Sequence, residues 1–308
     1  MRTLSLLFLL FSVTAVAQPQ KVWLDADTGN ETDDVYAIIR LLAEPAVTVV
    51  GLSSAHFNNA DLVAFDKWNQ YPTKAISTVA ISQQLNEDIL RVMDKTVISH
   101  PLGADRQIGR AWGGAAPRPS AATERLIQTV KQLAPGEKLD VLCLGALTNI
   151  ASAILIDTTI LSRIRLFALG ARYDSQQKVW NKNEFNIRND LNAFDYLLNN
   201  RSVDVTLMPI NTAAPYRFAR DTIYRKVDES VAIQRMLKER WEETNPQDNV
   251  RTLWDLALVE AYLLPEKAIV QDVLTPPENT QRLMKVYSKV DEKALTDDFW
   301  RVIRQLKN

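Results

Sequence analysis

Apolar residues gather in short, almost unbroken runs: KVWLDAD (21–27), VTVVGLSSA (47–55), AISTVAIS (75–82), LDVLCLGAL (139–147), IRLFALGA (164–171) and VDVTLMPIN (203–211). Runs of this length without strict alternation predict strands covered on both faces, as in a parallel sheet. Between them the spacing changes. Val35, Ile38, Ile39 and Leu42 recur at i, i+3, i+4, i+7, which predicts a helix over 32–43 with Thr32 as its N-cap. Similar patterns cover 121–133, 149–157 and 190–199, the last with Asp190 as a helix N-cap. The last hundred residues read mostly helical and end on an amphipathic helix, EKALTDDFWRVIRQLKN. Alternating β and α patterns predict an α/β fold: an open, mainly parallel sheet flanked by helices. No repeat or low-complexity linker divides the chain, so residues 18–308 read as one domain.

The first residues, MRTLSLLFLLFSVTAVA (1–17), carry one positive charge, an apolar stretch and a small-residue ending. They read as a secretory signal peptide cleaved before Gln18, and the stretch is short for a membrane span. The expectation is an exported protein, periplasmic or secreted, free of the membrane after cleavage. Composition adds little beyond exclusions. The 308 residues are 46% hydrophobic and 24% charged, with net charge −1, so no basic surface points to nucleic acid. A lone cysteine, Cys143, rules out an internal disulfide and reads as a buried thiol.

Charge patterning changes the picture at one place. LDADTGNETDD (24–34) packs five carboxylates, Asp25, Asp27, Glu31, Asp33 and Asp34, into eleven positions directly behind a buried strand. Like charges this close repel unless a cation or water offsets them. Asp33 and Asp34 would complement a helix N-terminus, but Asp25 and Asp27 fall at the end of the strand. A helix–loop–helix calcium loop needs glycine at its sixth position and glutamate at its twelfth; here these are Asn30 and Tyr36. A phosphohydrolase of the haloacid-dehalogenase type, with Asp25 as nucleophile, fits DADTG but leaves Asp33 and Asp34 unexplained. It stands as the alternative from another reaction class.

The acidic stretch resembles the signature of the inosine–uridine-preferring nucleoside hydrolase family, Asp-x-Asp-Pro-Gly-x-Asp-Asp followed by an apolar helix. Four further segments resemble that family in order: VVGLSSAHFNN (49–59), PGEKLDVLCLGALTNIASAI (135–154), NEFNIRNDLNAFDYLL (183–198) and LWDLALVEAYLLPE (253–266), with GADR (103–106) matching a short loop. The resemblance implies Ca²⁺-dependent hydrolysis of a nucleoside's N-glycosidic bond. It implies that Asp27 serves as base and metal ligand, with Asp34, Asp255 and the Leu144 carbonyl completing the protein ligands. Asp33, Asn58, Glu184 and Asn186 would then hold the ribose, while Asp25 would support the loop. Relatives often form homo-oligomers, though no feature of this sequence reports one. A non-catalytic nucleoside- or metal-binding relative is the third reading.

The chain departs from the family pattern in three ways. Two extra residues, Asn30-Glu31, precede the acidic pair, and the family's usual asparagine upstream of Glu184 has only Lys178 or Asn181 nearby. Trp254 stands where many relatives have a histidine that can protonate the departing base. The two histidines, His56 and His100, read as structural or surface residues. Trp254 is expected either to pack in the core or to stack on a purine.

Overall fold

The computed structural model describes residues 19–58, 76–110 and 112–307. The leader-like segment 1–17 lies outside them. In chain order the first half comprises β1 (Gln20–Ala26), α1 (Asp33–Leu42), β2 (Val47–Ser54), α2 (Thr78–Val92), α3 (Ala121–Lys131), β3 (Leu139–Cys143), α4 (Thr148–Ile156) and β4 (Ile164–Leu169). There follow β5 (Arg172–Asp174), β6 (Val179–Asn181), α5 (Phe185–Asn189), α6 (Leu191–Asn199), β7 (Asp204–Met208), α7 (Ile210–Ala213), β8 (Arg217–Ala219) and α8 (Arg220–Lys226). The chain closes with α9 (Ala232–Thr244), β9 (Val250–Thr252), α10 (Trp254–Leu263), β10 (Ala268–Leu274), β11 (Leu283–Val290) and α11 (Glu292–Ile303).

Seven strands form one sheet in the order β10-β11-β7-β4-β3-β1-β2, parallel except for the β10 edge. Two-residue periodicity explains how β1 serves both faces. Val22 and Leu24 join the apolar layer beneath α1, α9, α10 and α11, whereas Trp23 joins the layer beneath α3, α4 and α6. Each such fully buried side chain contributes about 1.5–3 kcal/mol by leaving water. The chain leaves β1 for β2 on one side and returns to β3 on the other. That reversal opens a crevice at the carboxyl ends of β1 and β3, where an open α/β sheet binds its ligand.

Three expectations are corrected. Residues 75–82 were expected as a strand, yet Thr78–Val92 is a fifteen-residue helix. A short apolar run is ambiguous by periodicity alone, and here Val79, Ile89 and Leu90 share a buried helical face with Ser82 and Asn86, which hold the acidic loop. The last third is not mostly helical, because β10 and β11 complete the sheet. Their half-covered faces interleave Lys285 and Lys289 with buried Met284, Val286 and Val290, which dilutes the apolar signal. Thr32 stands at the N-cap position without capping; its hydroxyl instead meets Thr244 at 2.6 Å and Asn245 Oδ1 at 2.7 Å. Asp190, by contrast, caps α6 through the Ala193 N–H at 2.9 Å. Among the described residues no helix is long and apolar enough to cross a membrane.

Candidate active site

The end of β1 at Ala26 separates two neighbouring carboxylates, Asp25 within the strand and Asp27 just past it. Asp25 turns inward, accepting from Ser53 Oγ and from Asn149 Nδ2 at 2.9 Å, and burial pushes its pKa up to about 6. Asp27, at the strand's exit, faces a pocket. Burial raises its pKa well above the ordinary range, reinforced by the charges of Asp33, Glu31 and Glu184. Asp25 does not line that pocket, so the phosphohydrolase alternative lacks an accessible nucleophile. The turn that follows closes through Asn30 N–H to Asp27 O at 2.8 Å. Gly29 is required there, since a Cβ would meet Ile81 at 2.6 Å.

Helices α1 and α10 pack together, and each begins at the pocket. Asp33 and Asp34 open α1 and Asp255 opens α10, where the helix N-termini favour negative charge. Asp255 N–H donates to Asp33 Oδ2 at 3.1 Å. One carboxylate oxygen from each of Asp33, Asp34 and Asp255 falls within 4.8 Å of the others, and all three residues are buried. Burial raises the pKa of each; the Glu31 charge raises Asp33 further, Asp27 and Asp33 raise Asp34, and Asp33, Asp34 and Asp27 raise Asp255.

Two arginines steady this loop from outside. Arg240 donates to the carbonyls of Thr28 (3.0 Å) and Glu31 (3.0 and 3.1 Å). Arg251 pairs with Glu31 Oε2 at 2.5 Å and Asp248 Oδ2 at 2.7 Å. Sequence reasoning missed both, because each lies more than two hundred residues from its loop partner. No local motif announces such a pairing.

The facing wall comes from β3 and β4. Past β3, Leu144 donates its N–H to Asp25 O at 2.9 Å, and its carbonyl accepts from Asn186 Nδ2 at 2.5 Å. A carbonyl has two lone pairs, so that bond leaves it able to accept once more. Glu184 caps α5, accepting from the N–H groups of Asn186 and Ile187 (3.1 Å each) and of Ala171 (3.2 Å). Glu184 and Asn186 therefore hold the wall as well as lining it.

Eight of the nine expected residues line this one pocket: Asp27, Asp33, Asp34, Leu144, Glu184, Asn186, Trp254 and Asp255. Asn58 does not. Its amide donates to the Asp105 carbonyl at 2.7 Å, away from the pocket. The sequence also grouped Asp27 with Asp34 and Asp255 as ligands, whereas the tightest carboxylate trio contains Asp33 instead. Trp254 shares both expected environments, being half-buried against the core while lining the pocket, with the Arg251 guanidinium 6.0 Å from its ring centre. His56 and His100 both lie outside the pocket.

Asp27 Oδ2, Asp34 Oδ1 and Asp255 Oδ1 are buried oxygens with no hydrogen-bond partner among the described residues. Orphaned carboxylate oxygens that line one pocket with the Leu144 carbonyl offer the all-oxygen donor set that a hard divalent cation accepts. The residues fit a metal.

A profile described as inosine-uridine preferring nucleoside hydrolase matches residues 22–297. No curated protein sequence matches the chain. Among solved structures, an inosine–guanosine nucleoside hydrolase is similar at TM-score 0.70 and 16% identity, covering 93% of this chain and 99% of its own. A purine-preferring ribonucleoside hydrolase from Gardnerella vaginalis gives 0.66 and 17%, covering 92% and 98%. An inosine–uridine preferring enzyme from Bacillus anthracis gives 0.66 and 15%, covering 93% and 100%.

Proposed function

Because this chain belongs to the inosine–uridine preferring nucleoside hydrolase family, whose members hydrolyse the N-glycosidic bond of ribonucleosides with the help of a metal, we propose how its own residues divide that work. The chain is an N-ribosyl hydrolase that releases free base and ribose from a small-molecule nucleoside. Cleavage passes through an oxocarbenium-like sugar attacked by water, so it needs a base, a grip on the ribose and relief for the departing base. Asp27 is the base and takes the water's proton. Asp33, Glu184 and Asn186 hold the ribose hydroxyls. Trp254 stacks on the base, which favours purines over pyrimidines.

Asp27, Asp34, Asp255 and the Leu144 carbonyl would hold the metal, and we infer that it is Ca²⁺, since every donor is an oxygen. Bound there, the ion would keep the crowded carboxylates ionised and acidify adjacent water. Buried, unpartnered carboxylate oxygens of Asp27, Asp34 and Asp255 lining one pocket, beside the close trio of Asp33, Asp34 and Asp255, carry this reading. Residues 1–17 support export as the setting for the activity, which N-terminal sequencing of the mature protein tests.

The central test is ribose release from a nucleoside panel with Ca²⁺ or with chelator, alongside Asp27→Ala. Release should require the metal and vanish in the variant. Chelator-resistant release, or full activity in Asp27→Ala, would overturn the assignment.

A further inference from the structure

The two-residue extension of the acidic loop, Asn30-Glu31, gives its side chains different work. Glu31 is engaged by Arg251, whose guanidinium meets its Oε2 at 2.5 Å. Asn30 lines the pocket, and its N–H closes the turn on Asp27 O at 2.8 Å. The turn is pinned from both sides. Helix α2 takes Thr28 Oγ1 on Asn86 Oδ1 at 2.6 Å and Gly29 N–H on Ser82 Oγ at 3.2 Å. Arg240 holds the carbonyls of Thr28 and Glu31 from the other side.

The Oδ1 atom of Asn30 is buried and has no hydrogen-bond partner among the described residues. An acceptor removed from water without a donor is costly, so each such atom calls for an explanation. Among the residues lining the pocket, buried side-chain oxygens in this condition belong to Asp27, Asn30, Asp34 and Asp255. Three of these are the carboxylates assigned to the metal. The condition that marks them marks Asn30 as well.

Ca²⁺ takes about six to eight oxygen ligands, amide oxygens among them, and three carboxylates with one carbonyl fall short of that. The pocket already gathers Asp27, Glu31, Asp33, Asp34, Glu184 and Asp255. Another carboxylate would add to their repulsion, whereas an amide oxygen adds a donor and no net charge.

We propose that Asn30 Oδ1 is a further ligand of the divalent metal ion, supplied by this chain's own loop extension. The inference rests on the metal reading above. The turn that supplies Asp27 thereby supplies a second, neutral donor three residues on.

Two measurements on the metal alone test this. In calorimetry, Asn30→Ala should bind Ca²⁺ about tenfold or more weakly than wild type, and Asn30→Asp, which keeps an oxygen, should recover most of that loss. Luminescence lifetimes of bound Eu³⁺ in H₂O and D₂O count the waters on the ion. Asn30→Ala should add one water and Asn30→Asp none, a readout that a merely structural asparagine would not move. Metal-free Asn30→Ala should melt with wild type, because the backbone of Asn30 closes the turn. Unchanged Ca²⁺ affinity and water count in Asn30→Ala would overturn the proposal. So would weaker ribose binding by the Ca²⁺-loaded variant with the metal unaffected, which would give the oxygen to a sugar hydroxyl. Failure of the wild type to bind either ion would sink the metal reading itself. Asn30-dependent Ca²⁺ binding without ribose release would instead sink the hydrolase reading and leave the ligand standing.

Discussion

The α-carbon of Gly145 presses on the carboxylate of Asp27 so closely that a Cβ there would lie 2.5 Å from Oδ1. No real contact is that short, so Gly145→Ala must displace the proposed base. A shift approaching 1 Å in a reacting group costs about a hundredfold in rate. Gly145→Ala should therefore lower kcat/KM by about that factor and change the melting temperature little. Wild-type ribose release by this variant would show that the position of Asp27 is unimportant.

Trp254 carries the purine preference in the proposed site. Stacking of a base on an aromatic ring is worth about 1–3 kcal/mol. Trp254→Ala should raise KM for purine nucleosides roughly tenfold or more, with a smaller effect on pyrimidines. Trp254→His should improve pyrimidine turnover alone by supplying a proton donor. Unchanged purine kinetics in Trp254→Ala would remove the ring from the site.

Far below the pocket, Arg40 is wholly buried and pairs with Glu44 (2.9 Å), Glu260 (3.0 Å) and Asp298 (2.6 Å), tying α1 to α10 and α11. Breaking one side of such a network costs about 3–5 kcal/mol. Arg40→Met should lose that much in urea unfolding at pH 8. Burial already holds Glu260 at about 8 despite Arg40, so removing the cation raises it further. A carboxyl that binds its proton more tightly when folded gains stability as pH falls. The Arg40→Met deficit should shrink towards pH 6, and Glu260→Gln in the same chain should recover part of it.

His56 makes an acid-side prediction. Burial lowers its pKa to about 4, and its Nε2 meets Thr148 Oγ1 at 2.7 Å. The unfolded chain then binds the proton first, near pH 6.5, so folding stability falls as pH drops from there to 4. At 1.36 kcal/mol per pKa unit this histidine contributes a loss of about 3 kcal/mol. Asp190 faces the same cluster through Thr148 and titrates near 6 in the opposite sense, which masks part of the slope. Comparing wild type with His56→Gln isolates it: the variant should lose about 3 kcal/mol less over that range. Parallel stability curves would contradict the assignment.

Much of the site was legible because its signals are local. Asp25 and Asp27 stand two apart at the end of a strand, and Asp33-Asp34 sit in the first turn of a helix whose stripe is visible in Val35, Ile38, Ile39 and Leu42. Asn58 misled because a residue at a strand's end has no register telling which neighbour its side chain will meet; here it met Asp105. The strand expected over 75–82 failed for a related reason. Eight residues of mixed apolar character suit either period, and packing of Val79, Ile89 and Leu90 chose the helix.

The sequence by itself determined the α/β alternation, the acidic turn behind β1, the capping of α6 by Asp190 and the ordered segments that mark the family. Each is a matter of residue types within one or two turns of chain. Only the tertiary structure decided that Asp255 meets Asp33 across 222 positions, that Arg240 and Arg251 steady the acidic loop, that β10 and β11 finish the sheet, and that the Asn30 amide oxygen is buried without a partner among the described residues. Periodicity records which face of an element is buried but not which distant element buries it. Charges separated by hundreds of residues acquire their partners, and their shifted pKa values, only when the packed sheet brings them together and excludes the water between them.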